Sequence, residues 1–431
     1  MAIALVLTLV AAFSALPVST PIEIVDSWAK GLWNPALLQF GFQAMFMLVL
    51  GHVLALSAPI KKLLSRVVDV AVKSPKFAAV YVAILAMILG WLNWGLGLVA
   101  GALVARAVID RGVANKGVVG AAGYMGLLVW HSGISGSAPL KVAESGHLLN
   151  LYPKGENWDV PIADAISIES TVFTSWNLIL TLVVMAAIAC LFYFLGKISP
   201  ATEVTEKIEE KKDLQLPKNS LAEKLDNGRG LAWLMGVVAL GTSVYLAVDD
   251  GREKGLSFVN PDWINLILLG LALVAHGSIS KLTYSLEKAI GGAAGILLQF
   301  PIYFGIMGIV SNTGLGGILA GALADTTTET TLPLAIYASS GLLNVFVPSG
   351  GGQWAVQGPL VIEACHSLGL SLEKGIMAMA YGDQWTNMLQ PFWALPLLGI
   401  TGLKAKDILP YTMAALLVSG VVFLIGLVLI V

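Results

Sequence analysis

Residues 344–360 read NVFVPSGGGQWAVQGPL: Ser349 is followed by three consecutive glycines, Gly350, Gly351 and Gly352, with Pro348 and Pro359 among mostly apolar neighbours. Glycine loosens the backbone and proline removes a donor, so this stretch is no ordinary continuous helix. It offers chemistry without charged side chains. A helix that starts at such a turn presents free N–H groups and the positive end of its dipole, a setting that favours a carboxylate. A second cluster, WHSGISGSAPL at 130–140, supplies Ser132, Ser135, Gly136 and Ser137 and is also closed by a proline. If the two turn tips meet, a solute between them touches these groups and Ser349. Gln353, Trp354, Asn177, Trp385 and Asn387 complete the expected walls.

The charges narrow the solute. Between residues 289 and 403 the only lysine or arginine is Lys374, against Asp325, Glu329, Glu363, Glu373 and Asp383. A di- or tricarboxylate calls for guanidinium forks. The composition therefore points to a monoanion, a small monocarboxylate, with the acidic surplus matched by a co-bound cation, Na+ or H+. Asp383 and Glu169 are the coupling candidates, because a carboxylate at membrane depth is costly; His131 beside the first cluster is the third. No cofactor or metal site is expected. The two cysteines, Cys190 and Cys365, lie far apart in apolar sequence, and a net charge of −2 without a basic run argues against nucleic acid. Each group has a plainer role: close packing for the glycines and serines, structural hydrogen bonds for His131, His52 and His276, and packing or interfacial anchoring for the tryptophans.

The elements that must position these residues lie in lipid. At 431 residues, 57% hydrophobic and 12% charged, with a mean hydropathy of +0.81, the chain reads as an all-α polytopic membrane protein with membrane lipid around it. Residues 1–18 lack a basic lead and read as a first span rather than a signal peptide. A second span at 35–58 precedes Lys61, Lys62, Arg66, Lys73 and Lys76, which places that loop in the cytoplasm. Residues 77–109 would make a helix of about 50 Å, too long for one crossing, and Asn93 and Gly95 interrupt it. Further spans are expected at 163–196, 231–248, 260–280, 289–310, 314–324, 375–401 and 408–431, and 197–228 is a polar linker. The total is about eleven spans plus two re-entrant hairpins, near 117–151 and 333–366.

Self-similarity organises them. Asn93, Gly95, Leu96 and Gly97 recur as Asn312, Gly314, Leu315 and Gly316, 219 residues on; Ala100 to Leu103 recur as Ala320 to Leu323. Pro139 and Leu140 recur as Pro359 and Leu360, and Gly126 to Leu128 as Gly341 to Leu343. Two repeats, 35–248 and 249–431, follow a leading segment 1–34. An odd number of crossings between matching spans inverts the second copy, as in many secondary transporters.

At FVPSGGGQWAVQGP the sequence resembles the short-chain fatty acid transporter family, bacterial uptake carriers for acetoacetate and butyrate. GLWN at 31–34, NWGLGL at 93–98, SGSAPL at 135–140, GILLQFP at 295–301 and AYGDQWTNMLQPFWALP at 380–396 extend that resemblance over nearly the whole chain. It implies an inner-membrane carrier of the ion transporter superfamily, whose distant sodium-coupled dicarboxylate members are homodimers with scaffold and transport domains moving as an elevator. Those relatives carry Ser-Asn-Thr at their tips; here Ser311, Asn312 and Thr313 lie upstream of the second hairpin, so no sodium site carries over. His131 stands where the family has glycine. The alternatives are a dicarboxylate or other organic-anion symporter and, from another class, an intramembrane serine hydrolase built on Ser135 and His131.

Overall fold

A computed structural model describes residues 2–143, 145–150, 162–201, 220–254, 258, 261–315, 318 and 327–430. Among the described residues every regular element is helical. Five helices are long and apolar enough to cross a bilayer, six if one pair bent by 120° counts as one, and five further apolar helices are shorter. The expected eleven spans thus correspond in part to short, broken helices. The first span is one such difference. Helix α1 (Ala2–Ala15) has 14 residues, about 21 Å against a core of about 30 Å. After the turn at residues 16–19, a capping box of Thr20 and Glu23 starts α2 (Pro21–Leu32).

Helix α3 (Pro35–Leu56) is followed, after Ser57 alone, by the amphipathic α4 (Ala58–Ala71). The same pairing recurs as α12 (Pro261–His276) and α13 (Ile279–Ala289), bent at Gly277, whose φ of +65° suits glycine. Helices α3 and α12 are stitched together by side-chain to backbone bonds: Asn265 donates to Gln43 O at 2.9 Å, and a ring nitrogen of His276 lies 2.8 Å from Val53 O. Elsewhere α7 (Lys116–Tyr124) and α8 (Ser137–Val142) flank the first tip, and α9 (Ser175–Ile198), α10 (Leu221–Asn227) and α11 (Arg229–Lys254) complete the first half. The polar linker lies for the most part outside the described residues, as does most of 314–324.

Asn93 breaks the long apolar run where the sequence predicts. Helix α5 (Pro75–Leu92) ends there, and Asn93 Oδ1 caps α6 (Trp94–Ile109) by accepting from Leu96 N at 3.0 Å. Helix α6 then doubles back on α5 over bare backbone, a Cβ on Gly97 standing 2.3 Å from Gly90 Cα, and the turn after α7 crosses α5 as closely, a Cβ on Gly126 standing 2.6 Å from Ala86 O. This is the small-residue contact that lets membrane helices approach closely.

In the second half, α14 (Ala294–Asn312) leads towards a helix–turn–helix of α15 (Leu332–Phe346) and α16 (Gly350–Leu368), joined by residues 347–349. Helix α17 (Leu372–Thr386) packs along α15; a short 3-10 turn and Gln390 separate it from α18 (Pro391–Thr401), and α19 (Ala405–Ile430) closes the chain. Replacing Gly126 by valine drives a side chain into the α5 backbone and should cost about 1–3 kcal/mol. A melting temperature in detergent that matches wild type would contradict that crossing.

Candidate solute site

The two tips meet. Gly350, first residue of α16, packs so closely on the first tip that a Cβ there would lie 2.7 Å from His131 Cε1, 2.8 Å from the Trp130 ring and 3.1 Å from Asp383 Oδ2. Three elements therefore converge on one point: the first tip, the start of α16 and the last turn of α17. A cross-link reinforces the junction, as Trp354 Nε1 donates to His147 Nε2 at 3.1 Å.

The first tip is folded by its neighbours more than by itself. The break at Asn93 frees a carbonyl and an amide, and the tip satisfies both: Ile134 N donates to Trp91 O at 2.8 Å, and Ser135 Oγ accepts from Trp94 N at 2.9 Å. Helix α17 grips the other side. Gln384 Oε1 accepts from the amides of His131 and Ser132, both at 3.0 Å, and Gln384 Nε2 donates to Ser132 Oγ. Asn177 Nδ2 donates to Ser132 O at 3.0 Å while its Oδ1 accepts from Tyr381 Oη at 2.7 Å.

The second tip is built differently. Ser349 caps α16, its Oγ accepting from Gly352 N at 3.2 Å. Gln353 N donates to Ser349 O, which leaves the amides of Gly350 and Gly351 without an acceptor among the described bonds. Around a Cβ on Gly351 there is nothing within 4 Å, and Gly351 and Gly352 are half-buried. Helix α16 has 19 residues behind that terminus, whereas α8 has 6, and the amide of Ala138 in α8 is taken by His131 Nε2 at 3.0 Å. The dipole thus comes from the second tip alone, not from both as the sequence suggests.

The expected wall residues divide accordingly. Gly350 and Gly351 form the open amide cradle, Ser349 and Gly352 are bonded to each other beside it, and Ser137 is half-buried at the start of α8. Ser132, Ser135, Asn177 and Gln353 are buried and engaged in bonds that join elements; Gln353 Nε2 reaches Ser340 O at 2.9 Å. A Cβ on Gly136 would stand 2.1 Å from His131 O, so its role is close approach. Trp385 turns away to donate to Leu416 O at 2.7 Å and stacks on Tyr337. Asn387 accepts from Asn344 at 2.9 Å.

Of the coupling candidates, Glu169 is exposed in a 3-10 turn apart from the tips. His131 and Asp383 face one another, Nδ1 to Oδ2 at 2.8 Å, with side chains 0% and 1% exposed. That contact is close but not aligned as a hydrogen bond, and both Asp383 oxygens lack another side-chain or backbone donor. Sequence reasoning overlooked Gln384, Tyr381 and Asn344, which hold the junction together. For Gln384 a signal was available, an amide side chain inside the mostly apolar block 380–396; Tyr381 and Asn344 carried none.

The family profile described as short chain fatty acid transporter matches residues 1–430. The chain belongs to that family. Relatives provisionally named short-chain fatty acid transporters are similar to it over 95% of its length and 90% of theirs: one from Haemophilus influenzae is 37% identical over 418 residues, one from Escherichia coli 38% over 420. Among solved structures, the YdaH transporter of Alcanivorax borkumensis aligns with 98% of this chain and 96% of its own at 16% identity and a TM-score of 0.45. MtrF of Neisseria gonorrhoeae, described within a class of antimetabolite efflux pumps, aligns with 93% of this chain and 83% of its own at 17% identity and a TM-score of 0.44. This short-chain fatty acid transporter family member is therefore a multi-pass membrane protein and not an enzyme. The hydrolase alternative also fails locally, since Ser135 Oγ accepts from the Trp94 amide and His131 Nε2 from the Ala138 amide, so neither activates the other.

Gln384→Ala leaves two buried amides of the first tip without acceptors, each worth about 1–3 kcal/mol. Thermal unfolding of the purified variant should begin several degrees below wild type, and an unchanged melting curve would remove Gln384 from this role.

Proposed function

We propose that the protein is a secondary active transporter of short-chain monocarboxylates such as butyrate and acetoacetate, working by alternating access and coupled to a cation gradient. The observation that carries this reading is the amide cradle at Gly350 and Gly351: a long helix ends there in unpaired donors, beside open space and with no arginine or lysine from the same segment. Such a terminus suits one carboxylate and a short apolar tail. A succinate-sized dianion would leave its second charge beside Asp383.

The motion is part of the proposal. The order α3, α4, α5, α7 recurs as α12, α13, α14, α15 at starts of 35, 58, 75 and 116 against 261, 279, 294 and 332. This supports two inverted repeats with two re-entrant hairpins. The tips are shut on each other, so solute passage requires a rearrangement of the hairpins with α9, α17 and α18. By analogy with distant elevator carriers, that group moves against a scaffold of the remaining helices in a homodimer of the bacterial inner membrane.

Counterflow into proteoliposomes tests the solute: labelled butyrate should exchange against internal butyrate and acetoacetate and not against succinate. Competition by succinate alone would favour the dicarboxylate alternative and sink this one. Gly351→Leu should abolish exchange while preserving insertion and melting temperature, because its side chain enters open space rather than packed protein. Wild-type exchange in that variant would count against the cradle.

A further inference from the structure

We infer that the coupling ion is the proton, and that it is loaded on the Asp383 carboxylate, held beside the start of α16 by His131. The inference rests on the monocarboxylate reading of the same site. It starts from the two ring nitrogens of His131. Nε2 receives the Ala138 amide hydrogen, so it carries none itself, and in the neutral ring the proton sits on Nδ1, facing Asp383 Oδ2 at 2.8 Å. Nε2 is thereby occupied, and the ring cannot take a second proton without giving up the Ala138 contact. The carboxylate is the group left to accept one.

Asp383 is placed where a proton and a solute anion must interact. Its Oδ2 lies 3.1 Å from where a Cβ of Gly350 would be, so the carboxylate sits at the same helix terminus that offers its amides to the solute. One negative charge there is favoured by the dipole. Two carboxylates at one buried terminus, with no cation from a lysine or arginine, repel strongly. Arrival of the solute monoanion and protonation of Asp383 thus favour each other, and the reciprocity of linkage makes this a coupling. In balance, one R–COO− and one H+ enter together from one side; the proton makes the Asp383 O–H bond, and both leave on the other side, so the loaded site keeps the net charge of the empty one.

Of the other titratable groups on the described elements around it, His147, beyond α8, accepts from Trp354 Nε1 at 3.1 Å. On α17 itself Tyr381 is committed to Asn177. Helix α15 contributes Tyr337, stacked on Trp385. On α16 the nearest titratable side chain is Glu363, 13 residues beyond Gly350, or about 20 Å along the helix. Helix α8 carries Lys141, one turn beyond Ala138, and α19 packs here through Leu416, Gly420 and Phe423.

Proteoliposomes holding a trapped pH indicator, compared with protein-free vesicles to subtract permeation of the free acid, read the prediction directly. Adding external acetoacetate should acidify the lumen with one proton per anion, independently of a sodium gradient. The apparent affinity for acetoacetate in counterflow should weaken by up to about tenfold per pH unit as pH rises above the titration of the site. Asp383→Asn should abolish both proton entry and pH dependence, leaving less than a twofold change in affinity across that range. His131→Gln, which keeps the carboxylate but alters its neighbour, should retain the slope and shift its midpoint. Counterflow in wild type that is flat with pH or driven only by sodium overturns the proton assignment and leaves the monocarboxylate reading standing. So does a pH slope that persists in Asp383→Asn. Absence of counterflow with any monocarboxylate overturns both readings.

Discussion

Backbone polar groups in an apolar medium must be paired, and this fold is arranged around the places where its helices deliberately fail to pair them. The interruption at Asn93 releases a carbonyl and an amide, and the first tip exists as a defined structure because Ile134 and Ser135 take them up. The end of α17 is handled the same way: Asn344 donates to Asp383 O at 2.8 Å and to the Thr386 hydroxyl at 2.9 Å. At Gly350 and Gly351 the accounting stays open, and nothing lies within 4 Å of a Cβ on Gly351. An open pair of amides beside free space, where three elements meet, reads as a place kept for something else.

The amide side chains that close these gaps also decide the electrostatics. Gln384, Asn177, Gln353 and Asn344 are fully buried and uncharged, so they fix geometry without adding fields that would compete with a bound anion. Against that neutral background Asp383, the one buried carboxylate among the described residues, dominates. His131 and the α16 terminus compensate it only partly, and a site balanced in this way responds strongly to one added charge of either sign.

Much of this was legible in the sequence because the signals were ones an apolar chain cannot hide. A run of three glycines between prolines marks a turn whatever surrounds it, and Asn93 stands out because asparagine inside thirty apolar residues must either cap or break. The helix boundaries near 93 and 350 followed from those residues, and those near 35 and 261 from the apolar runs. The number of crossings did not follow, since hydropathy counts apolar length and cannot tell an 18-residue crossing from a 16-residue arm that folds back, as α6 does on α5. Nor did the division of labour among Ser132, Ser135 and Ser137. All three are serines within six positions, and only their partners, Gln384, Trp94 and none described, separate scaffold from site. The asymmetry of the tips was equally hidden: α8 has 6 residues and its Ala138 amide is taken by His131.

The closeness at Gly136 and Gly350 has a mechanical meaning. With the first tip's own carbonyl 2.1 Å from where one side chain would start and an imidazole carbon 2.7 Å from the other, the first tip folds on itself and receives the second only because both positions are bare. A methyl group at Gly350 would act as a wedge that keeps the two tips from latching.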